Sequence, residues 1–158
     1  MSEKVLMTPE GHAFLKAKLE RLKLEMPKVS AEIGTAREHG DLRENAEYHA
    51  AKEKQGMVEA RINEIEDRIS RADVIDPSTF SGDKVKFGAW VTLEDADSGK
   101  KVRYRILGPD EADLKKGTIS VTSPIARALI GRKVGDEVTV NAPGGERVYE
   151  IVEVAWSA

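Results

Sequence analysis

The chain contains no cysteine in its 158 residues, which excludes disulfides and thiolate-bound metals. Aromatic residues are only 5% of the composition, too few to favour a pocket lined by rings. Phe80, Phe87, Trp90, Tyr104, Tyr149 and Trp156 are more economically read as core. Charge of either sign is not in excess. The 25 basic and 28 acidic residues give a net charge of −3. They divide as 13 against 15 up to Ile75 and 12 against 13 beyond it. Neither half is a polyelectrolyte, which disfavours a strongly basic duplex-DNA binder while leaving room for a local basic patch. No apolar run approaches membrane-spanning length, and Met1 to Thr8 is short and polar, without an apolar leader core. Residence in the cytoplasm, with no membrane partner, is the resulting expectation.

What the chain does have is charge of both signs, 34% of its residues, beside 40% hydrophobic residues, the balance of a protein with a large solvated surface. The apolar positions are ordered. Leu15, Leu19, Leu22, Met26, Val29, Ile33 and Ala36 step alternately by four and three, a heptad seam. Tyr48, Ala51, Gln55, Val58, Ile62, Ile65, Ile69 and Ala72 repeat the alternation. A break of about ten residues containing Gly40 joins them, so the second helix folds back antiparallel on the first. Each arm of about 30 residues is roughly 45 Å long at 1.5 Å per residue. Pro27 interrupts the first arm at a cost of about 3 kcal/mol, and a kink is expected there. Ala31, Gly34, Ala36, Ala46, Ala50 and Ala51 are expected to let the arms approach closely and keep the tip slender.

After Ala72 the period changes. Asp76-Pro77-Ser78 and Ser81-Gly82-Asp83 read as a linker. Val85, Phe87, Ala89, Val91 and Leu93 alternate as in a half-buried strand, and Val102, Tyr104 and Ile106 alternate again beyond a turn at Ser98-Gly99. A short strand follows at 118–121, then a helix capped by Ser123, opened by Pro124 and stopped by Gly131. Strands over 137–141 and 147–154 flank the turn Pro143-Gly144-Gly145. The expected fold is α+β: a coiled-coil hairpin over 1–75, a linker over 76–83, and a small antiparallel sheet domain with one helix over 84–158.

Asp41 and Glu44 stand at the turn of the hairpin. Their spacing is that of a capping box, an N-cap acid with a Glu three residues on, and both carboxylates favour the positive end of a helix dipole. The same spacing lets both side chains converge on one cation beyond the tip. Two carboxylates suit Mg2+, a hard ion that keeps waters and completes its shell with other ligands. A hairpin tip cannot enclose such an ion, so it is expected to be shared with a partner. His39 and His49 match no zinc spacing. Arg37, Arg43 and Lys52 are near enough in sequence to meet a phosphodiester backbone, though solvation is the commoner fate of such side chains.

GDLRENAEYHAAKEKQ at the turn, Pro27 in the first arm, and ISVTSPIARALIG and APGGE later in the chain closely resemble the Gre family of bacterial transcript cleavage factors. The resemblance covers the whole chain. It implies an N-terminal coiled-coil hairpin and an FKBP-like C-terminal domain, in a monomer that is not itself an enzyme. It also implies binding to the rim of the RNA polymerase secondary channel, with the hairpin reaching the polymerase active centre. Asp41 and Glu44 match the family's acidic pair, which positions a Mg2+ and the attacking water. Arg37 and Lys52 match basic positions that steady the 3' end of backtracked RNA. Ser120, Thr122, Ser123 and Pro124 fall in a segment resembling the loop that contacts the rim. Two other readings are compatible with the architecture: a factor that blocks the channel without promoting cleavage, and an FKBP-like prolyl isomerase or chaperone.

Overall fold

The computed structural model describes residues 3–40 and 45–157. The chain divides into two compact units, His12–Arg71 and a second made of Met1–Gly11 with Ala72–Ala158. The spatial boundary differs from one drawn at residue 75, because strand β1 (Val5–Met7) pairs in parallel with β2 (Ala72–Val74). Thr8 ties this short ladder into the second unit. Its backbone N–H donates to Glu111 Oε1 at 2.7 Å and its hydroxyl to Glu111 Oε2 at 2.5 Å. The segment read as short and polar therefore buries Val5 and Met7 in a strand.

Helix α1 spans Pro9–Arg37 and α2 spans Ala46–Ser70. Every position of the first seam is buried or half-buried, with Leu15, Val29, Ile33 and Ala36 the most enclosed. On α2 the enclosed residues are Ala51, Val58 and Ile65, seven apart. Contacts across the pair run in opposite senses, Glu32 to Lys54, Arg37 to Tyr48 and His39 to Glu47, so the helices are antiparallel. The 29 residues of α1 extend roughly 43 Å. Pro27 does not end the helix. It is exposed, and the hairpin seam retains buried Val29 and Ile33 beyond it. The small residues divide in a way the sequence did not separate: Ala36 and Ala51 are buried, whereas Ala31, Gly34, Ala46 and Ala50 face solvent. Those four thin the shaft but do not bring its arms together.

The second unit is built on a five-stranded sheet of order β5-β4-β3-β7-β6, with β3 Trp90–Asp95, β4 Lys101–Leu107, β5 Thr118–Ser120, β6 Glu137–Ala142 and β7 Gly145–Ala155. Three pairings are antiparallel, but β5 runs parallel to β4, so the sheet is mixed where an antiparallel one was expected. The long connection after β4, carrying the 3-10 turn Leu114–Lys116, returns the chain in the same direction. Val91, Leu93, Ile106 and Ile151 are fully enclosed and pack with Leu129 and Ala126 of helix α3 (Pro124–Leu129). The core is aliphatic. Tyr104, Tyr149 and Trp156 pack at its margin, partly buried.

The strand expected from Val85 is split. Val85, Phe87 and Ala89 are buried as the alternation requires, yet the ladder begins only at Trp90. Gly88 adopts φ +88, a region that disfavours residues with a Cβ, and a turn closes from Lys86 O to Ala89 N–H at 3.1 Å. The linker is also ordered: Asp76 accepts from Ser78 N–H at 3.0 Å and opens the 3-10 turn Pro77–Thr79.

Candidate functional site at the hairpin tip

Helix α1 finishes with two tight turns, Glu38 N–H to Thr35 O at 3.2 Å and His39 N–H to Ala36 O at 3.1 Å, before Gly40 at φ +136. Helix α2 starts after Asn45, whose side-chain oxygen accepts the Tyr48 N–H at 3.0 Å. Asn45 is thus the N-cap. The first helical residue is Ala46 and the capping oxygen of α2 belongs to Asn45, while the capping box expected of Asp41 and Glu44 falls outside the described residues. Asn is among the best N-cap residues, so the signal was present in the sequence. Asp41, Glu44 and Arg43 themselves lie outside the described residues.

The same Asn45 donates from Nδ2 to the carbonyl of Ala36 at 2.5 Å, joining the end of α1 to the start of α2. Around this bond the tip is polar. His39 Nδ1 is 2.8 Å from Glu47 Oε2, both side chains largely exposed. The Arg37 guanidinium lies over the Tyr48 ring, 5.9 Å from its centroid, and Tyr48 meets His49 edge-on at 5.6 Å. Lys52 is exposed one turn further along α2. Arg37 and Lys52 are therefore both on the hairpin near its tip, with Arg37 oriented by an aromatic face. Glu47 and Tyr48, absent from the sequence-level site, take part in this arrangement.

Ser120, Thr122, Ser123 and Pro124 form one structured corner between β5 and α3. The Ser120 and Thr122 hydroxyls are 2.7 Å apart, Thr122 N–H donates to Ser120 Oγ at 3.1 Å, and Ser123 N–H donates to Ser120 O at 2.9 Å. Ser123 caps α3 by accepting the Ala126 N–H at 3.3 Å, with Pro124 as first helical residue. Thr122 and Pro124 are exposed. These four residues belong to the sheet unit, whereas Arg37 and Lys52 belong to the helical unit.

Among the described residues no group of three or more His, Asp or Glu side chains is placed to hold a metal. None of their helices is long and apolar enough to cross a membrane. The donor set that the sequence carries between Gly40 and Asn45, two carboxylates, fits a hard divalent cation such as Mg2+.

A two-helix hairpin followed by a mixed five-stranded sheet with one capped helix defines a class of two-part proteins. Residues 5–74 match the family described as "Transcription elongation factor, N-terminal", and residues 80–155 match "Transcription elongation factor, GreA/GreB, C-term". The chain belongs to the GreA/GreB family of transcription elongation factors. It is 60% identical over 156 residues to the "Transcription elongation factor GreA" of Alkalilimnicola ehrlichii, covering 98% of this chain and 99% of that one. It is 59% identical over 155 residues to the protein of the same name from Phenylobacterium zucineum, again covering 98% and 99%. Among solved structures, it is similar to the GreA factor homolog 1 (Gfh1) protein of Thermus thermophilus, at 30% identity and a TM-score of 0.45, covering 97% of this chain and 99% of that one.

Proposed function

We propose that this protein stimulates the Mg2+-dependent cleavage of backtracked RNA by bacterial RNA polymerase and so rescues arrested elongation complexes. The protein acts as a cytoplasmic monomer and an activator; the nuclease is the polymerase. The observation that supports the reading is the meeting of α1 and α2 at Ala36 and Asn45, in a transcription elongation factor whose sequence carries Asp41 and Glu44 between those two residues.

In this reading the hairpin enters the secondary channel and the Ser120–Pro124 corner holds the channel rim. Asp41 and Glu44 offer carboxylate oxygens to a Mg2+ whose other ligands come from the polymerase. When bound, that ion stabilises the attacking and leaving oxygens of an in-line displacement. Arg37, held against Tyr48, and Lys52 offer positive charge to the phosphates of the displaced RNA 3' end. The long reach of α1 suits delivery into a narrow passage.

The test uses stalled elongation complexes with labelled RNA. The protein is expected to release short 3' fragments in the presence of Mg2+. Asp41→Ala and Glu44→Ala are expected to abolish this stimulation while leaving polymerase binding nearly intact. Full cleavage by the double variant would refute the assignment, and polymerase inhibition without fragment release would point to a channel blocker.

A further inference from the structure

We propose that Asn45 is a positioning residue for the cleavage role proposed above, on which this inference rests: its side chain is a latch that sets the separation of the two helix ends carrying the acidic segment. One carboxamide serves both helices. Nδ2 donates to Ala36 O at 2.5 Å and Oδ1 accepts from Tyr48 N at 3.0 Å. The first N–H groups of α2 have no partners within their own helix, so Oδ1 satisfies one of them, while Nδ2 brings a second donor to the Ala36 carbonyl at the end of α1.

Capping alone does not explain the choice of Asn. Ser, Thr and Asp cap about as well, but ionised Asp has no donor, and the shorter hydroxyl of Ser cannot accept from Tyr48 and also span to Ala36. The second bond is what requires a carboxamide. Its acceptor is rigid, since Ala36 is buried in the seam and its carbonyl also receives the His39 N–H at 3.1 Å. The His39–Glu47 pair across the tip is exposed, and exposed ion pairs hold geometry weakly. Asn45, half-buried, ties the end of α1 to the start of α2. A catalytic group displaced by about 1 Å can lose on the order of 100-fold in rate.

The experiment compares full-length wild type, Asn45→Ser and Asn45→Asp on stalled elongation complexes, varying factor concentration. Both variants keep an N-cap for α2, and only one adds charge. The expected result is a fall of at least about tenfold in maximal cleavage rate, with far-UV helicity and the half-saturating factor concentration unchanged. Amide hydrogen exchange over residues 36–40 and 45–49 of the free protein is expected to accelerate in both. A wild-type maximal rate in Asn45→Ser, a defect confined to the half-saturating concentration, or unchanged exchange overturns the latch. If the wild-type protein itself releases no RNA, the cleavage reading fails instead, and the exchange measurement still decides whether the latch exists.

Discussion

Replacing Gly34 and Gly56 with Ala is expected to stabilise the hairpin, and the size of the effect follows from the surroundings of each residue. Both lie inside helices, both are exposed, and neither has positive φ. A Cβ added at either meets nothing within 4 Å. The gain is then the difference in helix propensity, about 0.8–1.0 kcal/mol per site. The sites lie on different helices and share no described contact, so the effects should add to roughly 1.6–2 kcal/mol. For a unit the size of His12–Arg71, 1 kcal/mol shifts the melting temperature by about 4–8 °C, giving a rise of roughly 6–16 °C. Circular dichroism at the helical minimum follows this transition, since α1 and α2 supply most of the helix. An unchanged or lowered melting temperature would show that these glycines serve packing after all, and the account of the thinned shaft would fail.

The opposite sign is expected at Gly108, where an added Cβ falls on the Leu6 carbonyl of β1, backbone that cannot rotate away. Gly108→Ala should cost at least about 1–3 kcal/mol and lower the urea midpoint of the sheet unit; an unaltered midpoint contradicts this. Asp95 accepts N–H bonds from Ser98 and Asp97 and pairs with Arg147 at 3.0 Å, which together hold its carboxyl below the usual range. A depressed folded pKa contributes stability that is present above the ordinary carboxylate value, about 3.9, and is lost as pH falls through the folded value. The stability gap between wild type and Asp95→Asn should therefore be constant near neutrality and shrink in acid. A gap that persists at the acid end of the titration refutes the role of the charge.

The features written in local spacing were legible before any coordinates. Alternating steps of three and four marked both seams, because a helix brings such residues to one face whatever surrounds it. Ser123-Pro124 marked the start of α3 for a similar reason, since a cap and the first helical residue are neighbours in the chain. The functional proposal was legible too, through a long acidic motif whose resemblance needs no folding to read.

Tertiary structure decided what depends on partners distant in sequence. Val5–Met7 became a strand only because Ala72–Val74 lies beside it, and β5 turned out parallel because its ladder is set by the return path after β4, not by its own residues. The run from Val85 kept its inward faces but lost its ladder at Gly88, where the backbone turns against Pro77. At the tip the sequence spacing pointed to Asp41 as the cap, and Asn45 was not among the expected cap residues. The cap of α2 is Asn45, whose carboxamide bonds to both helix ends at once, a role visible only when Ala36 O and Tyr48 N are brought within reach of the same side chain.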